Sequence, residues 1–175
     1  MLGPMLEFCS HSCGYALANH RQRQAAERKR LREVREHRKR KESVKTRAGW
    51  AREAQTEFNA FTRARDSMLG CVSCGQSPNQ GQRHASHYRS VAAASHLRFN
   101  TWNVHASCAQ CNSMKSGNVV EYRIRLVNKI GSERVEALEN NNEPRSFDIE
   151  YLRRVKRIFS RRARHYRKLR GMAWK

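Results

Sequence analysis

Residues 102–118 read WNVHASCAQCNSMKSGN, a segment holding Asn103, Cys108, Cys111, Asn112 and Lys115. Two thiols spaced as Cys108 and Cys111 are can both reach one metal ion, and a matching pair, Cys71 and Cys74, stands upstream. Two such knuckles supply the four thiolates of a tetrahedral structural zinc site. The 33 residues between the pairs exceed a minimal ribbon, so another element is inserted there. That insertion carries His84 and His87 in HASH, and Asn103 five residues before Cys108. The expected fold is therefore a small α+β one, built around a zinc-knuckle module at 71–131.

Outward from the module the chain reads as helix. A Cys-bearing segment at 1–15 precedes a basic arm at 16–48, rich in Arg, Lys, Glu, Gln and Ala and without Pro or Gly, which predicts a solvated helix with almost no apolar stripe. At 49–70, Trp50, Ala54, Phe58, Phe61 and Met68 recur at helical spacing and predict a helix that docks on the core. Inside the module, RHASHYRS reads as a short strand, LRFNTWNVH as a second strand or extended segment, and CAQCNSMKSGN as a turn into a helix over 119–130. The last region, 132–175, opens with a brief helix from Ser132 and a NNNEP loop. Asp148 then caps a helix with Ile149, Leu152, Val155, Phe159, Ala163, Tyr166 and Leu169 on one face and mostly Arg and Lys opposite.

The charge names a class of partner. The chain of 175 residues has 36 Lys and Arg against 15 Asp and Glu, a formal charge of +21, which repels itself unless a polyanion balances it. Residues 20–47 hold 13 basic and 4 acidic side chains, and after Glu150 there are 11 basic residues and no acidic one. A basic helix lying on a membrane needs a broad apolar face, which residues 20–47 lack. No apolar run approaches the ~20 residues of a membrane span, and the N-terminal residues lack the apolar core and cleavage site expected of a secretory signal. Nucleic acid is the expected partner and the cytoplasm the expected location.

The order of a His, a middle Asn, a Cys pair, then Asn112 and Lys115 resembles the HNH, or ββα-metal, nuclease family. The longer run CVSCG, ASHYRS and LRFNTWNVHASCAQCNSMKSGNVVEYRIRLVNKIG is similar to the NinG, or Rap, recombination family of lambdoid phages. That resemblance implies an HNH-like module flanked by long basic helices, acting as a structure-specific endonuclease on branched, Holliday-junction-like DNA. It implies His87 as general base, a role suited to the near-neutral pKa of imidazole. It also implies Asn103 as the residue bracing the loop or that His, and Asn112 as a ligand of a catalytic Mg²⁺ or Mn²⁺. Many HNH enzymes put an acidic or His ligand directly before the base, where this chain has Ser86. Strand alternation sets Ser86 and His84 on one face and His87 on the other, so His84 could supply the ligand. Arg89, Arg98 and Lys115 are candidate contacts to the DNA backbone.

Blander readings stand beside these. His87 could be a packing or zinc-adjacent residue, His105 a structural one or a DNA contact, and His96 a surface one. Cys9 and Cys13, with His11 or His20, could complete a second metal site. NinG-like proteins carry a further Cys pair upstream, so that site is vestigial, or lies in a chain with an earlier start, or is shared between two chains. Two symmetric cuts in a four-way junction would call for a homodimer. A non-catalytic zinc-ribbon accessory protein for recombination is the main alternative, and a basic RNA-binding zinc protein explains charge and cysteines but not the His and Asn spacing.

Overall fold

A computed structural model describes residues 10–171. Cys9, and with it half of the proposed second metal site, lies outside them. The chain divides between Lys45 and Thr46 into two units, and no helix among the described residues is long and apolar enough to cross a membrane.

The first unit is a single helix, α1 (His11–Ser43), whose 33 residues include none that is buried. Its start is capped by Ser10, whose hydroxyl accepts from Cys13 N at 3.2 Å. With no apolar stripe to pack, it is supported along its length by ion pairs one turn apart, Glu27–Arg30 at 3.0 Å and Arg32–Glu36 at 3.1 Å, each worth only about 0.2–0.5 kcal/mol. The arm begins five residues before the expected boundary at Ala16 and ends at Ser43, because Thr46 already caps the next helix through Gly49 N at 3.1 Å.

The second unit holds the core. Helix α2 (Arg47–Arg65) buries Trp50, Ala54, Phe58 and Phe61 against Leu152, Val155, Phe159 and Ala163 of α5 (Ile149–Leu169). Phe58 and Phe159 meet edge to face with ring centres 4.6 Å apart, and Phe61 lies 5.8 Å from Tyr166, so the two helices run side by side in the same direction. Asp148 caps α5 as expected, accepting from Tyr151 N at 2.6 Å. Helix α2 stops at Arg65 rather than near Gly70, and Met68 is 64% exposed instead of docked. At the end of α5, Leu169 is 65% exposed and likewise leaves the core.

A two-stranded antiparallel sheet lies between these helices in sequence: β1 (Arg83–His87) pairs with β2 (Val104–Cys108), His84 opposite Ser107 and His87 opposite Val104. LRFNTWNVH does not form a strand before Val104. Its first part makes a 3-10 turn at Ser95–Leu97, and Asn100 Oδ1 accepts from Trp102 N at 2.8 Å to tighten a second turn. One wide turn, Gln110–Met114, follows β2 and leads to α3 (Val119–Ile130) and α4 (Ser132–Asn140). Tyr122 and Leu126 of α3 close a second cluster with Val72, Leu97, Val135 and Leu138. This is a small α+β fold.

Candidate functional site

Cys71, Cys74, Cys108 and Cys111 converge with their sulfurs all within 4.8 Å of one another. A tetrahedron with Zn–S bonds of about 2.3 Å has edges of about 3.8 Å, and Cys74 Sγ lies 3.8 Å from Cys108 Sγ. The donor set and its size therefore fit zinc. Backbone N–H groups already point at the sulfurs, Cys108 N at 3.2 Å from Cys71 Sγ and Cys111 N at 3.4 Å from Cys108 Sγ. Burial pushes the Cys111 thiol up to about 12, with Cys108 adding to it. At Cys71 burial is outweighed by the N–H donors of Cys108, Cys74 and Ser73, and the thiol falls to about 6. Such a cluster favours one negative charge and resists the next, and a cation removes that conflict.

The first knuckle depends on two glycines. A Cβ on Gly70 would stand 2.7 Å from Gly75 O, and Gly75 has φ +77° with the Arg125 guanidinium where its own Cβ would be, at 2.8 Å. Val72 N then donates to Ala106 O at 3.0 Å, and Ser73 Oγ to Gly117 O at 2.9 Å. These bonds tie the knuckle to β2 and to the segment beyond the second knuckle.

The second knuckle swings Asn112 back onto the sheet. Its side-chain amide meets His84 Nδ1 at 3.1 Å, across 28 positions of sequence. With the amide donating, the ring proton belongs on Nε2, and rotating the amide exchanges its oxygen and nitrogen. Both side chains are half-buried and line a polar cleft of about 530 Å³ with Asn59, Arg63, Gln82 and Arg83. The lining contains no carboxylate.

The other predicted residues are placed differently. His87 stands three positions along β1 with its side chain on the opposite face from that of His84, and its Nε2 lies 3.0 Å from Arg98 O. A carbonyl partner holds the proton on Nε2 and leaves Nδ1 basic. Burial, and after it the charge of Arg98, lowers the His87 pKa against the opposing bond to that carbonyl, keeping the ring neutral. Asn103 is fully buried: Oδ1 accepts from Arg89 N at 2.8 Å while Nδ2 donates to Arg89 O at 3.0 Å and Leu97 O at 3.3 Å. It staples the loop that separates the strands. Ser86 is also buried, with Tyr122 donating to its carbonyl at 3.0 Å.

Arg89, expected at the DNA backbone, is turned onto the protein: its guanidinium holds Leu138 O at 2.8 Å, Asn141 O at 2.7 Å and Asn142 Oδ1 at 2.8 Å. Arg98 donates from Nε to Gln55 Oε1 at 2.9 Å, and Lys115 is exposed at the end of the knuckle turn. His96 Nε2 is 2.8 Å from Asn141 O.

A family profile described as "Bacteriophage Lambda NinG protein" matches residues 4–169. The chain belongs to the NinG family. It is 41% identical over 134 residues to Protein ninG of Escherichia phage 933W, covering 77% of this chain and 66% of that one. The figures for Protein ninG of Escherichia phage lambda are 41%, 77% and 65%, and for that of Salmonella phage P22 38%, 77% and 66%. The chain thus spans slightly less than two thirds of the length of these NinG relatives. No solved structure gives a significant match.

One feature of this NinG chain escaped sequence reasoning. Asp66, 2% exposed, receives Arg65 through two bonds of 2.8 Å, Ala106 N at 3.0 Å and Lys129 Nζ at 3.4 Å. Arg65 also reaches Val104 O at 2.7 Å and His105 Nδ1 at 3.0 Å, while His105 Nε2 meets Trp102 O at 3.0 Å. Burial would raise the Asp66 pKa, but the surrounding His105, Arg65 and Lys129 reverse it and hold the carboxyl well below the usual range. The network joins the end of α2 to β2 and α3, so His105 is structural. The only advance signal was an isolated acid, Asp66, at the end of an amphipathic helix.

Proposed function

We propose that this chain is a divalent-metal-dependent DNA endonuclease of the HNH, ββα-metal type, hydrolysing phosphodiesters in branched, Holliday-junction-like DNA during phage recombination. The observation that carries the reading is the meeting of His84 and Asn112 in a polar cleft beside the four-cysteine clamp. A carboxamide oxygen suits a hard cation that keeps most of its waters, and the ring nitrogen adds one borderline donor. Such a cation, Mg²⁺ or Mn²⁺, would stabilise charge on the scissile phosphate and leaving oxygen. Because the cleft lining has no carboxylate and two arginines, the cation binds well only together with a phosphate.

His87 is assigned the general-base role through Nδ1, its Nε2 proton being held by Arg98 O. Because its ring lies on the opposite strand face from His84 and outside that cleft, the role requires the ring to turn toward the bound phosphodiester. Zinc in the cysteine clamp is structural and fixes the turn that presents Asn112. The basic helices supply affinity, which falls steeply as salt rises.

A second reading, a non-catalytic zinc-stabilised DNA-binding accessory protein, is favoured by one observation. His87 lies outside the lining of the His84–Asn112 cleft and is engaged by a backbone carbonyl.

Nicking assays with four-way, duplex and single-stranded DNA decide between them. The expected result is magnesium- or manganese-dependent cleavage, reduced about 10²–10⁴-fold by His87→Ala, with Asn112→Ala and His84→Ala raising the cation requirement. Undiminished cleavage by His87→Ala removes the assigned base. Binding by the wild type without cleavage in either cation establishes the accessory reading.

A further inference from the structure

Beside the His84–Asn112 cleft lies a second one of about 470 Å³, walled by the last turns of α2 and α5 and by the loop after the first knuckle. Arg63, Arg83, Arg167 and Arg170 all line it, and its lining contains no acidic side chain. Arg63 and Arg83 also line the first cleft, so the two clefts share a wall. Among the described residues Arg63, Arg167 and Arg170 form no ion pair. Arg83 is already anchored, donating to Leu69 O at 3.0 Å.

Two further observations mark this as more than a basic surface. Ser67 Oγ, behind the wall, is shielded from solvent without a hydrogen-bond partner, a cost that a rotation of the side chain toward a bound oxyanion recovers. Burial in the cleft, and after it the charge of Arg167, lowers the Arg63 pKa, so a like charge stands near a guanidinium that water only partly solvates. Basic residues in the last turn of a helix are ordinarily explained by the dipole. Two helix ends offer only about half a negative charge each, which leaves about three of the four guanidinium charges uncompensated.

The geometry points to a phosphate-binding subsite in which Arg63, Arg167 and Arg170, with the Ser67 hydroxyl, hold a backbone phosphate of the strand whose neighbouring phosphodiester enters the His84–Asn112 cleft. The identity of the ligand as DNA rests on the proposed nuclease reading, whereas its chemistry, a phosphate oxyanion, rests on the arginines themselves. Arg63, shared between the clefts, sets the spacing between the two phosphates. Guanidinium forks suit this role because they bind phosphate oxygens in pairs.

Two measurements on the full chain test it. In the first, DNA affinity is followed against salt for the wild type, for the double variant Arg63→Gln/Arg167→Gln, and for Ser67→Ala, which changes no charge. The slope of log K against log salt is expected to fall by about 1 in the double variant, and Ser67→Ala is expected to weaken binding with the slope kept. In the second, inorganic phosphate is titrated against the arginine Nε–H signals, and saturable shifts of Arg63 and Arg167 are expected, lost in Arg63→Gln. DNA binding with an unchanged slope in the double variant overturns the subsite while leaving the nuclease reading intact. A wild type that binds no DNA but shows the phosphate shifts overturns the nuclease reading and keeps the anion site. Phosphate that moves neither arginine overturns the site in either case.

Discussion

Each end of the β1–β2 hairpin carries a histidine of β1 and an asparagine flanking β2, and the fold treats the two pairs in opposite ways. At the knuckle end His84 and Asn112 are half-buried and bond each other in an open cleft. At the loop end Asn103 is fully buried and His87 half-buried, and their bonds run to the backbone of Arg89, Leu97 and Arg98. The difference lies in what holds the neighbouring chain. A four-cysteine clamp fixes the knuckle turn without any help from Asn112, which leaves that side chain free for a ligand. The loop of residues 88–103 has no such clamp, so Asn103 itself closes it.

The largest effect should come from removing the clamp. Cys71→Ser takes one ligand from the cluster, and structural zinc contributes about 10–16 kcal/mol in small finger peptides, as much as the roughly 5–15 kcal/mol that hold a whole domain folded. Bound zinc is expected to fall from one ion per chain to none, with loss of the cooperative thermal transition of the second unit. A variant that keeps its transition and its cleavage without zinc would show that the hairpin ends are held by something other than the clamp.

Next comes the contrast between the two asparagines. Asn103→Ala strands the N–H and the carbonyl of Arg89, while Leu97 O keeps its bond from Asn100 N at 3.0 Å. At about 1–3 kcal/mol for each unpaired group, a loss of about 2 kcal/mol or more is expected in urea denaturation. Asn112→Ala should stay within about 0.5 kcal/mol, because its half-buried side chain lines an open cleft where water replaces the lost bond to His84, while altering cation dependence. Equal losses at the two sites would erase the distinction between a staple and a ligand.

Much of this architecture was legible because it is local. Cys-x-x-Cys spacing announces a knuckle, Asp148 announces the start of α5, and the three- and four-residue steps from Val119 to Ile130 mark α3 at those bounds. What stayed hidden needs partners far apart in sequence. Arg89 looks like any exposed arginine until the end of α4 presents three carbonyl oxygens to it. Asp66 looks like a helix cap until Lys129 and Ala106 arrive. The pairing of Arg63 with Arg167 exists only because α2 and α5 run in the same direction, which no periodicity encodes. Hydropathy placed Met68 on the docking face, but the Asp66 network ends the helix before it.

The smallest effect concerns pH and rests on His87 and His105. Burial lowers the pKa of both His87 and His105 in the folded chain, whereas an unfolded histidine titrates near 6.5. The unfolded chain therefore takes up protons first as the pH drops. The stability contributed by keeping these rings neutral is fully present above about pH 6.5 and is lost as pH falls through the lower folded values. Each histidine limits the slope to about 1.4 kcal/mol per pH unit. Urea melts from pH 8 to pH 5, with zinc content followed in parallel, should show this decline before zinc is released. His105→Gln should flatten it. A decline that follows zinc loss in every variant would assign the pH sensitivity to the thiols and remove the histidines from the account.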